Sequence, residues 1–100
     1  MNLSNYIEMA HKTAVSKKFY EREFNFAEKV MLVVTELSEA VQEDRLGNTH
    51  SLAVELADSF IRLCDLMAFL EETQGLDFEN IIQNKMQKNL SRPDLHDKKY

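Results

Sequence analysis

The segments Thr35-Glu36-Leu37-Ser38-Glu39 and Glu55-Leu56-Ala57-Asp58, separated by a turn signal at Gly47, decide how this chain folds. Each segment carries two acidic residues three positions apart, and positions i and i+3 lie on the same face of an α-helix. We therefore predict two antiparallel helices whose acidic faces bring four carboxylates together. Crowded carboxylates repel one another unless a cation lies between them, and hard oxygen ligands suit Mg²⁺ or Mn²⁺.

The competing interpretation is that each acidic pair is an ordinary solvated helix face. Glu is a good helix former, and a single Glu-x-x-Glu pair is usually exposed. The second pair is different, because the residues from Leu52 to Ile61 are mostly apolar and Arg62 is the only basic residue nearby. Burying an unpaired carboxylate is costly, so a metal ion is the more economical explanation. The predicted metal ligands are Glu36, Glu39, Glu55 and Asp58.

The composition is that of one small domain spanning residues 1–100. The chain is 44% hydrophobic and 29% charged, as is usual for a globular protein, and its net charge of −5 argues against nucleic-acid binding through a basic face. The single cysteine, Cys64, cannot form an intrachain disulfide and fits a reducing compartment. No signal peptide and no run of membrane-spanning length is recognisable. We expect a cytoplasmic protein that binds neither nucleic acid nor membrane.

The fold class predicted from periodicity is all-α. Gly47, Gly75 and Pro93 each fall where a helix should end. Side-chain caps are expected at Asn25, at Asn48 or Thr49, and at Asp77. The predicted helices span residues 3–19, about 26–46, about 49–73 and about 78–90, with a loop at residues 20–25. His11 is expected on the polar side of the first helix.

The third predicted helix is apolar on two sides. One stripe contains Leu52, Leu56, Phe60, Leu63, Met67 and Leu70. The second contains Val54, Ala57, Ile61, Cys64 and Ala68. A helix that is apolar on two sides must be covered on both, and four helices in 100 residues barely suffice for this. We therefore predict a four-helix bundle completed by homo-oligomerisation, as a homodimer or a dimer of dimers.

Basic and amide side chains collect at the end of the fourth predicted helix. Lys85 and Asn89 share a helix face, and Arg92 follows just beyond. Cations at this position can simply complement the helix dipole. Beside a carboxylate metal site they can also bind phosphate, for which the arginine fork is well shaped. From the residues alone, both interpretations remain open.

Taken together, these elements resemble a MazG-like protein, one of the all-α nucleoside triphosphate pyrophosphatases. The resemblance rests on Glu36-x-x-Glu39, Glu55-x-x-Asp58 and the closing segment from Lys85 to Tyr100, in that order, and covers roughly residues 26–100. It implies Mg²⁺-dependent conversion of an NTP or dNTP to the monophosphate and pyrophosphate, with Mn²⁺ as a substitute metal. It further implies that the four carboxylates bind the metal and that Glu36 or Glu39 also orients the attacking water. The residues implied to hold phosphates or shape that end of the site are Lys85, Asn89 and Arg92.

Two positions depart from the family pattern. Thr35 stands where the family often has a further Glu, and Asp97 stands where its His-Gly-Lys-Lys-aromatic ending has Gly. Two alternatives keep the fold and the metal: a deoxynucleotide-selective enzyme and a phosphoribosyl-ATP pyrophosphatase. A third, which Thr35 supports, is a non-catalytic helical interaction module with a degenerate metal site. The base pocket has no legible sequence code, so only assays separate the substrates.

Overall fold

The computed structural model describes residues 1–17 and 25–92. Over these ranges the structure is helical, and the predicted all-α fold class is confirmed. The helices are α1 (Leu3–Ser16), α2 (Phe26–Arg45), α3 (Thr49–Gln74) and α4 (Phe78–Ser91). None of the helices in the described ranges is both long enough and apolar enough to cross a membrane.

The ends of α2, α3 and α4 lie within one residue of the predicted ends, whereas α1 is shorter than predicted. α1 ends at Ser16, with Lys17 as its C-cap, instead of continuing to residue 19. The Ser16 hydroxyl donates to the carbonyl of Thr13 at 2.8 Å, and such side-chain bonds compete with the helical ladder. The predicted loop lies outside the described residues except for Asn25, as does the closing segment 93–100.

Side-chain caps fix where three of the helices begin, namely α1, α2 and α4. Asn25 Oδ1 accepts a hydrogen bond from the backbone N–H of Glu28 at 3.0 Å at the start of α2. Asp77 Oδ1 accepts from the N–H of Asn80 at 3.3 Å at the start of α4. Each cap satisfies a donor that has no partner inside the helix. The predicted caps at Asn25 and Asp77 are therefore confirmed. The side-chain cap predicted at Asn48 or Thr49 is wrong: Asn48 is the N-cap residue of α3, but its side chain makes no cap hydrogen bond and donates instead to Glu43 Oε2 at 2.9 Å.

The turn between α2 and α3 brings the two acidic segments side by side. Gly47 has a φ of 76°, in the left-handed region that glycine adopts without steric cost. Its N–H donates to the carbonyl of Asp44 at 3.0 Å, which closes the end of α2. Because so few residues connect the helices, α3 returns along α2 and packs against it.

Helix α3 is the centre of the fold, since it packs on both α1 and α2. The buried core between α1 and α3 consists of Ile7, Ala10, Cys64 and Ala68. Cys64 is fully buried, and burial raises the pKa of its thiol. The thiolate needed for nucleophilic chemistry is thus disfavoured, and Cys64 is a small buried hydrophobic residue of the core.

His11 does not lie on an exposed polar side, and that prediction is wrong. Its ring is half-buried between α1 and α3, with Nδ1 2.9 Å from Asp65 Oδ1 and Nε2 3.2 Å from Glu72 Oε2. Asp65 and Glu72 are seven residues apart and therefore share one face of α3. The periodicity of α1 alone cannot show this pairing, because the carboxylates come from another helix.

Much of the apolar surface of α2 and α3 remains exposed in the single chain. We call this surface the α2–α3 apolar face; its residues, each between 41% and 52% exposed, are Val34, Leu37, Val41, Leu56, Phe60 and Leu63. The radius of gyration is 16.3 Å, compared with about 13 Å for a compact chain of this length. Helix α4 contributes to this openness, because none of its residues is buried. The second side of α3 is therefore only partly covered within one chain.

Candidate metal centre

Three carboxylates from two helices converge on one point. Glu36 and Glu39 belong to α2 and Glu55 to α3, and one carboxylate oxygen from each lies within 4.8 Å of the other two. The three-residue spacing places the first two on one side of α2, and the turn at Gly47 returns α3 alongside them. All three side chains are thus carried by helices, which hold ligands more rigidly than loops do.

The fourth predicted ligand, Asp58, lies outside this group. It is exposed on α3, one helical turn beyond Glu55. Asp58 follows Glu55 on α3 at the same spacing as Glu39 follows Glu36 on α2. Because the two helices are antiparallel, Asp58 and Glu39 point to the same side of the α2–α3 pair. The role of Asp58 as a ligand stays a prediction.

Thr35 contributes nothing to the carboxylate cluster. Its hydroxyl donates to the backbone carbonyl of Met31 at 3.0 Å, within α2. The oxygen at this position is therefore engaged by the helix itself. The departure from the family pattern at Thr35 leaves the convergence of Glu36, Glu39 and Glu55 in place.

Glu55 is the carboxylate with the greatest need for a cation. Its Oε2 is buried and has no hydrogen-bond partner in the described part of the chain. When Glu55 is protonated, it can form a hydrogen bond with Glu36 or Glu39. Hydrogen bonding to Glu36 is the largest cause, and hydrogen bonding to Glu39 the second, of a rise in the pKa of Glu55 from 4.5 to about 7. Burial and repulsion by both neighbours contribute further. A bound divalent cation would supply the missing partner. Because every donor in the cluster is a carboxylate oxygen, the residues fit Mg²⁺ or Mn²⁺.

Arg62 is a site residue whose pairing sequence reasoning missed. Its Nε donates to Glu36 Oε1 at 3.1 Å, joining α3 to α2 beside the cluster. In the sequence, Arg62 is recognisable only as the basic residue near the second acidic pair. The available signal is its position seven residues after Glu55, which places both on the face of α3 that meets α2. The buried Ser59 lies between them on this face and donates to the backbone carbonyl of Glu55 at 2.9 Å.

The predicted phosphate-binding residues are not brought to the carboxylates in the single chain. Lys85, Asn89 and Arg92 are exposed on or just beyond α4, and α4 does not pack extensively on α2. Among the described residues, no hydrogen bond or ion pair links these three to the cluster. Asp97 and the basic residues that follow it lie outside the described ranges. A phosphate-binding role for this end of the chain therefore stays a prediction.

The fold and the cluster define an all-α protein with a candidate site for a hard divalent cation. Residues 28–96 match the family model described as the MazG nucleotide pyrophosphohydrolase domain. This match spans most of the chain and includes both acidic pairs, so the protein belongs to the MazG nucleotide pyrophosphohydrolase domain family. Membership confirms the resemblance and indicates a nucleotide pyrophosphohydrolase, in a family that is generally metal-dependent. Searches of curated proteins and of solved structures gave no significant match.

The raised pKa of Glu55 predicts how pH acts on the metal-free protein. The side chain titrates near 4.5 when unfolded and near 7 in the fold, so between these values the folded state holds more protons. The stabilising contribution is therefore complete below about pH 4.5 and is lost as the pH rises through about 7. Since the metal and the proton compete for the same oxygens, stabilisation by Mn²⁺ should grow over this interval.

Thermal unfolding from roughly pH 5 to 8, with and without Mn²⁺, measures both effects. The matched control is Glu55→Gln, which cannot titrate and should flatten the pH dependence of the metal-free protein between these values. An equal slope in the wild type and the variant would show that other groups govern the dependence.

Proposed function

We propose that this protein is a Mg²⁺-dependent pyrophosphohydrolase that converts a nucleoside or deoxynucleoside triphosphate and water to the monophosphate and pyrophosphate. The observation that carries this proposal is the buried, unpartnered Oε2 of Glu55 beside Glu36 and Glu39. Such an arrangement is unfavourable for folding alone, and a cation would make it favourable. The family match supports hydrolysis of a nucleotide as the reaction that this site serves.

In this proposal Glu36, Glu39 and Glu55 hold the metal, and Asp58 completes the set. When bound, Mg²⁺ supplies positive charge for the phosphate oxygens and lowers the pKa of water. Glu36 already accepts a hydrogen bond from Arg62, whereas Glu39 is exposed. We therefore favour Glu39 as the residue that accepts a hydrogen bond from the attacking water and turns it toward the α-phosphorus.

The proposed hydrolytic step is an attack of this water on the α-phosphorus. The water oxygen forms a bond to the α-phosphorus while Glu39 accepts the proton, and the bond from that phosphorus to the bridging oxygen breaks. Pyrophosphate leaves with the electron pair, and its charge needs cationic neighbours. The exposed residues Lys85, Asn89 and Arg92 are the proposed phosphate contacts, since they supply donors in a protein with a net charge of −5.

We further propose that a second copy of the chain covers the α2–α3 apolar face. Leu37 follows Glu36 on α2, and Leu56 follows Glu55 on α3, so each lies about 100° around its helix from the contact between the helices. Because the helices are antiparallel, both apolar stripes point to the same side, away from Glu39 and Asp58. Two such faces packed about a two-fold axis would form a four-helix bundle, with Glu39 and Asp58 on the side of each helix pair that faces away from the partner.

The test of the proposed reaction is pyrophosphate release from a panel of NTPs, dNTPs and phosphoribosyl-ATP with Mg²⁺. We expect turnover by the wild type that falls more than about 100-fold in Glu39→Gln and in Asp58→Asn, because both replace a carboxylate of the site by an amide of similar shape. Asp44→Asn is the matched control: it removes the same charge from an exposed position on α2 and should leave turnover unchanged.

The pattern of substrates separates the general, deoxynucleotide-selective and phosphoribosyl-ATP forms of the proposal. Full activity in Asp58→Asn would remove Asp58 from the ligands. No turnover on any nucleotide by the folded wild type, together with no thermal shift on adding Mg²⁺, would overturn the proposal and leave the non-catalytic interaction module.

A further inference from the structure

Arg62 occupies an unusual position beside the candidate metal centre. Its Nε lies 3.1 Å from Glu36 Oε1, and the Glu36 side chain is only 16% exposed. Arg62 also lines a small cavity of about 90 Å³ between α1, α2 and α3, together with Lys29 and Asp65. A cation of the protein itself thus contacts one of the three clustered carboxylates.

We propose that Arg62 is a positioning residue that holds Glu36 in place for the metal ion. This inference rests on the proposed function, because it assigns Arg62 a role in the same site. A carboxylate offers two oxygens and about four lone-pair positions, so Glu36 can accept from Arg62 and still bind a cation. The guanidinium donates from a fixed planar geometry, which sets the direction of the carboxylate as well as its charge.

The need for positioning follows from the electrostatics of the cluster. Glu36 lies beside two other carboxylates, and without a partner it would be repelled toward solvent. Arg62 opposes this rotation because it is carried by α3 and reaches across to α2. Outer partners that orient metal ligands in this way typically account for about 10- to 100-fold in metal affinity.

A competing hypothesis, in which Arg62 takes the place of the metal ion, predicts a change of metal affinity in the opposite direction. If Arg62 were only a substitute cation that occupies the site in place of a metal, its removal would leave a more negative cluster, and metal ions would bind more tightly. The change in metal affinity on removing Arg62 therefore decides between positioning and substitution. This measurement needs no substrate and no turnover.

The experiment is calorimetric titration of the whole protein with Mn²⁺ alone. We expect Arg62→Gln to weaken Mn²⁺ binding by about 10-fold or more, and Arg62→Lys to weaken it less, because lysine keeps the charge but not the fork. Glu36→Gln should weaken binding, and adding Arg62→Gln to it should cause no further loss if Arg62 acts through Glu36. Arg45→Gln removes an exposed arginine at the end of α2 and should bind like the wild type.

Four results would overturn the inference. Binding by Arg62→Gln that is as tight as the wild type or tighter refutes positioning, while the metal site itself stands. The same weakening by Arg62→Gln in the wild-type and Glu36→Gln backgrounds shows that Arg62 does not act through Glu36. A folded wild type that binds no Mn²⁺ refutes both this inference and the proposed function. If circular dichroism shows that Arg62→Gln is unfolded, Arg62→Lys decides, and unchanged binding by that variant refutes positioning.

Discussion

Replacing Glu55 with Gln is expected to stabilise the metal-free protein while abolishing its metal-dependent activity. The buried Oε2 of Glu55 lacks a hydrogen-bond partner in the described part of the chain, and the side chain lies against the carboxylates of Glu36 and Glu39. A neutral amide of the same shape removes the repulsion and can donate an N–H to either neighbour. The same change removes a ligand, so we expect turnover and Mn²⁺ affinity to fall more than about 100-fold.

Thermal unfolding near neutral pH, calorimetric titration with Mn²⁺ and pyrophosphate release measure these effects together. We expect the melting temperature without metal to rise by a few degrees, and the rise on adding Mn²⁺ to disappear. Glu39→Gln is the matched control, since it also removes a ligand from the cluster but at an exposed position. It should lose activity with a smaller gain in stability. A Glu55→Gln protein that is less stable than the wild type at neutral pH would mean that Glu55 is adequately paired in the fold.

This opposition between stability and the proposed function explains why the convergence of three carboxylates could be predicted from sequence. Residues chosen for folding alone do not place an unpaired carboxylate in an apolar helix, and a local violation of folding rules points to a functional site. Glu55 lies among apolar neighbours from Leu52 to Ile61, and Glu36 and Glu39 share a helix face by spacing alone. The convergence of these three carboxylates then depends only on the short turn at Gly47.

The elements that the sequence predicts well are all local. The caps at Asn25 and Asp77 and the glycine turns depend on residues within a few positions of one another, so their chemistry is visible in the sequence. Helix periodicity likewise identifies which positions of α3 are apolar. It does not identify what covers them: Leu56 and Leu63 belong to an apolar stripe of α3, yet both are exposed in the single chain.

The features that the sequence does not predict depend on how the helices are rotated against one another. Arg62 reaches Glu36 across 26 positions, and His11 reaches Asp65 across 54. Each pairing needs the relative rotation and height of two helices, which packing determines. The position of α4 is a similar case: its apolar side is visible in the sequence, yet none of its residues is buried in the single chain.

A charged residue in the α2–α3 apolar face is expected to convert the proposed dimer into monomers. Leu63 is 43% exposed in the single chain, so Leu63→Asp costs the isolated chain little. In the dimer the same carboxylate would be buried without a partner. This is expected to weaken association by more than about 3 kcal/mol, which corresponds to roughly 100-fold or more in the dissociation constant.

Sedimentation equilibrium should find twice the chain mass for the wild type and one chain mass for Leu63→Asp at the same concentration. The melting temperature of the wild type should rise with protein concentration, whereas that of the variant should not, because only association links stability to concentration. Val15→Asp places the same charge on an exposed apolar position of α1, outside the α2–α3 apolar face, and should remain dimeric. A wild type that is monomeric at all concentrations, or a dimeric Leu63→Asp, would refute the proposed interface.

The same variant also tests whether the interface supports the metal centre. Glu36 and Glu55 lie on the two helices that present the α2–α3 apolar face. A partner packed on this face would therefore fix the two helices that carry the carboxylates. Loss of the partner should therefore lower Mn²⁺ affinity in Leu63→Asp, although Leu63 is not a predicted ligand. Unchanged affinity in a monomeric variant would show that contact between α2 and α3 within one chain is enough to hold the carboxylates together.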